Sequence, residues 1–288
     1  MLNRRHLAVG ATAVLVLAGP LIVAWTLQPA RSAGPCTLVS GPTALPEIPE
    51  TSGLAIGRRN PGILWSHNDS GNVAMLFAMD TAGAMLGRVR LPVKTRDWED
   101  ISAARCGAAD CLYIADIGDN RAARPHISIY RVPEPAPGDA QTAAPEVFTA
   151  AYADGPHNAE AMFVAGDDVF IITRDRIGLL YKGTPAAGRA LTFQRIGQLG
   201  LTTVTDAETS RDGASVAVRT SHEVALYRTT DLIRGVTTPY LRIPIDGLRE
   251  LQGEGVALDG PMLYLSSEAG GARNAGRILR LRCELPAQ

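Results

Sequence analysis

No P-loop, no Gly-x-Gly-x-x-Gly, no Gly-x-Ser-x-Gly and no His-Glu-x-x-His occurs in the 288 residues. These absences exclude, as motifs, the common phosphate cradle, the dinucleotide fingerprint, the serine-hydrolase elbow and the zinc-protease helix. An excess of charge of one sign is also missing. Lys and Arg total 28 against 29 Asp and Glu, a net charge of −1. That excludes a strongly basic footprint for nucleic acid or an anionic membrane surface. Convincing runs of helical period are absent as well, and cysteines number only 4. What is present is a 46% hydrophobic chain with 29 Gly and 19 Pro. Such a chain can bury a sizeable core and turns often, so disorder is excluded.

Arg4, Arg5 and His6 precede an apolar stretch from Leu7 to Leu27, broken only by Gly10, Thr12, Gly19, Pro20 and Thr26. A basic start before an apolar run reads as an export signal, and this run is long enough to span a bilayer. Ala30-Arg31-Ser32-Ala33 offers small residues for cleavage after Ser32. Residues 1–35 therefore read as a signal peptide or an N-terminal membrane anchor, and 36–288 as the folded domain. Either fate places the domain outside the cytoplasm: periplasmic, secreted, or anchored to the outer face of the cytoplasmic membrane. Membrane contact is expected only through the N-terminal segment. The cysteines agree with export. Cys106 and Cys111 can staple a short loop, which leaves Cys36 and Cys283 at the two ends of the domain.

Short apolar runs separated by Gly, Asp, Asn and Pro make the domain all-β. They also repeat. A small or acidic residue, a small residue and an apolar strand recur at Ser52-Gly53-Leu54-Ala55, Glu99-Asp100-Ile101-Ser102, Glu160-Ala161-Met162-Phe163, Asp206-Ala207-Glu208-Thr209 and Glu254-Gly255-Val256-Ala257. The spacings are 47, 61, 46 and 48, the long one holding the proline-rich stretch Pro133 to Pro145. A second, third and fourth strand follow most motifs. Four strands per such period predict a β-propeller. Five four-stranded blades are visible, the last lacking one strand, which the segment from Cys36 to Leu45 supplies. That closure sets Cys36 beside Cys283, as a disulfide requires. A ring of six blades is the alternative and needs one unit hidden in an irregular stretch.

The first strand of a propeller blade lines the central channel. Ser52, Glu99, Glu160, Asp206 and Glu254 are thus expected in a ring at one mouth. Two carboxylates about 4 Å apart repel by on the order of 4 kcal/mol at a surface-like dielectric. A cation or protons must offset this. Five oxygen-bearing side chains suit calcium. The alternative is structural: the acids accept hydrogen bonds from the neighbouring blade and lock blade to blade. Polar loops after the second strands converge on the same mouth. They offer Asn68, Asp69, Asp116, Asp119, Asn120, Arg174, Arg219 and Glu268, with His157 just before Glu160. Carboxylates, a cation and two guanidiniums make a pocket for a small anionic ligand such as a phosphoester. Trp65, Tyr113, Phe170 and Tyr264 occupy matching second-strand positions and read as blade core.

HNDSGN (67–72), DWED (97–100), ADIGDN (115–120), NAEAM (158–162), VAVRT (216–220) and QGEGVAL (252–258) resemble exported bacterial propeller proteins of the phytase-type esterase-like kind. The resemblance covers most of residues 50 to 285 and implies a propeller. The axial set of one Ser and several acids also resembles calcium-activated nucleotidase (apyrase), which implies that Ser52, Glu99, Glu160 and Glu254 face a calcium ion. Asp206, with Thr205 beside it, departs from that pattern, which has a Ser there. Two functions follow. One is an exported calcium-dependent hydrolase of a phosphoester, its catalytic residues unassigned. The other is a non-catalytic, monomeric propeller that binds a ligand or an envelope protein and holds a structural ion.

Overall fold

The computed structural model describes residues 32–270 and 274–286. The signal or anchor expected within residues 1–35 lies almost wholly outside the described residues. No helix among the described residues is long and apolar enough to cross a membrane.

The chain folds as successive four-stranded antiparallel units, the second and third of which join at their outer strands through a parallel pairing of Ala150–Tyr152 with Leu191–Phe193. The first is Thr51–Ile56, Ile63–Asn68, Met75–Asp80 and Met85–Arg90. The second is Asp100–Cys106, Ala109–Asp116, Ile127–Pro133 and Glu146–Tyr152. The third is Ala159–Ala165, Asp168–Thr173, Leu179–Gly183 and Leu191–Gln198. The fourth is Val204–Thr209, Ser215–Thr220, Glu223–Arg228 and Leu241–Pro244. The last is Gln252–Asp259, Met262–Glu268 and Gly276–Cys283, completed by Cys36–Leu45 from the other end of the chain. The inner strand of each sheet touches the inner strand of the next, and the last touches the first. This is a β-propeller.

Burial follows from the layering. Inner strands such as Thr51–Ile56 and Val204–Thr209 are buried at every residue, because both faces pack on a neighbouring sheet. The outer strand Met85–Arg90 alternates, because one face meets solvent. Successive residues of one inner strand serve opposite junctions. Leu54 packs with Ala257 and Tyr264 of the last sheet, while Ala55 packs with Ile101 and Ile114 of the second. Each junction so holds its own apolar cluster. Trp65, Tyr113, Phe170 and Tyr264 are all buried in these clusters, as their positions imply.

The proline-rich stretch is an inter-sheet strap. Thr142 N–H donates to Arg90 O and Arg90 N–H to Ala140 O, so the strap runs along the outer strand of the first sheet. Glu134 is fully buried there and accepts from the backbone N–H of Arg58, Arg59 and Asn60 and from Trp65 Nε1. A carboxylate taking several N–H donors is well compensated for its burial.

Cys36 pairs in register with Cys283, and the two form a disulfide across 247 positions. Cys106 and Cys111 form the other. Two disulfides mark an oxidising, extracytoplasmic environment. Ser32–Ala33 pairs with Cys36 and Thr37, and Ala33 is buried in the junction below. In the chain-entropy view, a loop this long gains about 5 kcal/mol from closure. Cys36→Ala/Cys283→Ala should therefore melt well below the native protein, whereas Cys106→Ala/Cys111→Ala, which frees a short loop, should fall less. Calorimetry of both variants checks this; equal losses would show that the end-to-end joint adds nothing special.

Candidate functional site

The inner strands begin with a local irregularity. Register skips one residue at Glu160, at Thr205 and at Glu254 in their respective sheets. A bulge re-aims the extra side chain away from the ladder. At this mouth lies a cavity of about 420 Å³ whose lining includes Ser52, Glu99, Glu160 and Glu254. Asp69, Asp97 and Glu268 add further carboxylates, and Ser70, Asn120, Asn158 and Gln252 add neutral polar groups. Arg174 is the one cation in the lining.

The acids are unevenly spread. Carboxylate oxygens of Asp69, Asp97 and Glu99 lie within 4.8 Å of one another. These residues follow the second strand of the first sheet or precede the inner strand of the second. Asp97 is held there by its neighbours: Asp116 accepts from Arg96 N and Asp97 N, at 2.8 and 3.0 Å. Gly118 N–H donates to Asp97 O at 2.9 Å. A Cβ at 118 would overlap the carboxylates of Glu99 and Asp97, so a side chain there would have to displace them. On the opposite side Arg174 Nη1 pairs with Glu160 Oε2.

Burial of so many acids raises their proton affinity. Glu99 is pushed up to about 9, by burial first and then by Asp69, Asp97 and Glu254. Glu268 rises to about 7 for the same reasons, burial leading. Glu254 and Asp69 are also raised, again chiefly by burial. Arg174 partly offsets the crowding at Glu99, Glu254 and Glu268.

Two expected residues are elsewhere. Asp206 is fully buried beneath the mouth, with Oδ2 2.5 Å from the Val256 N–H of the next sheet. The bulge at Thr205 puts Thr205, not the expected Asp206, at the position held by Glu160 and Glu254, one residue from where the spacing of the repeat places it. Asp206 instead matches Asp100, which accepts from Met162 N at 2.6 Å. Both lock one sheet to the next. Their pKa values are raised by burial, and Asp100 is raised further by the charge of Asp206. Arg219 is the second correction. It is 0% exposed, donates to Gly255 O and Ser266 O, and pairs with Glu250 at 2.6 Å. It fastens sheets together and cannot meet a ligand.

The remaining candidates divide. Asp69, Asn120, Arg174 and Glu268 line the cavity. Asn68 is mostly buried and bonded to Glu50 N and Glu47 O. Asp116 is spent on the backbone of Arg96 and Asp97 and on Arg124. Asp119 accepts from Arg124 N and donates its own N–H to Asn158 Oδ1. His157 packs against Tyr152 and Tyr181 and bonds Asp154, away from the lining. Asp97 was missed as a ligand candidate although it lies in the DWED string. It precedes the strand and has no counterpart in the repeat.

No protein-family model and no curated protein matches the chain. Solved structures of similar shape include β-propeller domains, and those described below are of low identity. A gluconolactonase from Xanthomonas campestris is 12% identical, covering 88% of this chain and 98% of that one, with a TM-score of 0.45. Glutaminyl cyclase from Myxococcus xanthus is 11% identical, covering 90% and 100%, with a TM-score of 0.49. A β-propeller domain from Myceliophteria thermophila is 12% identical, covering 81% and 84%, with a TM-score of 0.41.

The raised carboxylates predict a pH dependence. A group whose pKa is higher folded than unfolded lends stability that is complete below the unfolded value and is lost as pH rises through the folded one. With divalent ions chelated, the melting temperature should therefore fall steadily from about pH 5 through the values near 7 at Glu268 and near 9 at Glu99. Glu99→Gln should flatten the upper part of that decline. Thermal melts across this range check it, and a rise between pH 7 and 9 in chelator would contradict it.

Proposed function

We propose that this chain is an exported, five-bladed propeller hydrolase with a divalent-cation site, best suited to calcium, acting on a small anionic phosphoester. One observation carries the reading: the carboxylate oxygens of Asp69, Asp97 and Glu99 converge within 4.8 Å in an otherwise polar cavity. Calcium takes about 6–8 oxygens at roughly 2.3–2.6 Å, so oxygens of one shell lie within about twice that distance of each other. The donor set fits. It is all oxygen, it contains no His or Cys, and its crowding calls for positive charge. Asp69, Asp97 and Glu99 would hold the ion, with Ser52, Glu160 and Glu254 near enough on the same lining to share it or its waters. When bound, such an ion supplies Lewis acidity toward an ester oxygen or water.

The chain supplies the rest. Glu268 lines the cavity with a pKa near 7, the range in which a carboxylate both holds and releases a proton at neutral pH. Asn120 and Asn158, 3.4 Å apart through Oδ1 and Nδ2, present amide groups at the rim. Glu268 is our candidate general base. The resemblances to phytase-type esterase-like proteins and to calcium-activated nucleotidase support this class. A signal or anchor in residues 1–35, a monomeric state and either periplasmic or outer-face residence complete the proposal.

Calcium should raise the melting temperature of chelator-treated protein, by about 2.7 kcal/mol of stability at a hundredfold excess over Kd. Magnesium should do less, because it prefers a smaller octahedral cage. Asp97→Asn should lose most of this response. A panel of phosphomonoesters and carboxylic esters, with and without chelator, tests catalysis, and Glu268→Gln should lose turnover while keeping the calcium response. Indifference of the wild-type melt to calcium and chelator would remove the ion. A calcium response with no turnover on any ester would leave a ligand- or protein-binding propeller with a structural ion.

The balance of charge within the cavity gives a further expectation. Arg174 is the internal counter-ion of the acids, so Arg174→Gln should lower the melting temperature in chelator and enlarge the rise produced by calcium. Melts of the variant in both conditions check this. A smaller calcium response than wild type would make Arg174 a partner of the ion's ligand instead.

A further inference from the structure

The two arginines expected to clamp an anion are not free to do so. Arg219 is buried between sheets, and Arg174 is paired with Glu160. A second cavity of about 390 Å³ adjoins the acidic one, and Asp97 and Asn120 line both. Three arginines line it: Arg96, Arg121 and Arg124. We infer that this cavity is an anion subsite, taking the phosphate or an equivalent doubly charged group of a ligand whose other end reaches the acidic mouth. The inference deepens the phosphoester reading above and rests on it for the ligand, though not for the binding of the anion itself.

Arg124 is the built part of the site. It is 7% exposed. Its Nη1 donates to Gly118 O at 2.6 Å and its Nη2 to Asp116 Oδ1 at 2.8 Å. Its Nε is buried and has no hydrogen-bond partner in the protein. A buried N–H of a charged group left unpaired is costly. Arg96 and Arg121 are exposed, and among the described residues neither forms an ion pair. Planar guanidiniums are well matched to phosphate oxygens.

The loop that carries Arg121 and Arg124 is held in shape. Ala122 N–H donates to Asp119 O at 2.7 Å, and the Asp119 carboxylate accepts from Arg124 N at 2.6 Å. Ala122 itself has a φ of 47°, the left-handed region that alanine rarely occupies. Of the acids here, Asp116 pairs with the Arg124 guanidinium, Asp119 accepts from Arg124 N, and Asp97 belongs to the carboxylate cluster beside the mouth. That leaves the charge of Arg96 and Arg121 for a ligand. A cation in the mouth would add to it, so anion and cation should bind with positive coupling.

Calorimetric titration of inorganic phosphate into the full folded domain, in chelator, tests this. Wild type should bind. Arg96→Gln/Arg121→Gln should bind at least tenfold more weakly, while Arg234→Gln, an exposed arginine paired with Asp231 elsewhere, should bind as wild type. The double variant should keep its melting temperature and its calcium response. No phosphate binding by wild type at millimolar concentration, or equal binding by the double variant, would overturn the subsite. An equal loss in Arg234→Gln would also overturn it, by showing non-specific attraction. If calcium shifts no melting curve but the arginine variant still loses phosphate, the cation reading fails and the anion subsite stands.

Discussion

Closing the ring brings the start of every inner strand to one opening, and three of those strands place a glutamate there: Glu99, Glu160 and Glu254. Like charge is thus concentrated by topology, at a place where burial strips away the water that would screen it. The rest of the mouth can be understood as the means of offsetting that charge. Beneath the opening, backbone N–H groups do it: Asp100 takes Met162 N and Asp206 takes Val256 N, each from the following sheet. On one side of the opening Arg174 does it for Glu160. On the other side Asp69, Asp97 and Glu99 have no arginine between them, and this is the side where we propose a cation.

The same charges therefore hold the ring together and make it receptive. Glu208 reaches across the axis from the fourth sheet to Ser102 Oγ and Ala103 N of the second, at 2.5 and 3.1 Å. Arg58, from the first sheet, donates to Ala103 O of the second and to the carbonyls of Ser210 and Arg211 beyond the fourth. With the channel crossed by such bonds, a ligand meets the protein at the mouth rather than passing through. Acidic and arginine-lined cavities lie side by side and share Asp97 and Asn120, the arrangement on which the proposed cation and anion sites rest.

The repeat of roughly 47 residues, the all-β pattern and the end-to-end joint were determined by the sequence alone. Alternation and turn residues report local geometry, and Cys36 and Cys283 mark strand ends that only one closure brings together. Asp69, Asn120, Arg174 and Glu268 were legible as mouth residues because strand direction dictates where their loops emerge. The tertiary structure decided the rest. A single bulged residue moved Thr205 into the place expected for Asp206, and no spacing shows on which residue a bulge falls. Arg219 looked like an exposed clamp until Gly255 O, Ser266 O and Glu250 were seen to enclose it, contacts made across more than thirty residues of chain. Asp97 and the three arginines stand outside the repeat, so the blade period gives no sign of them. Periodicity reveals what every blade shares; chemistry here depends on what one junction has and the others lack.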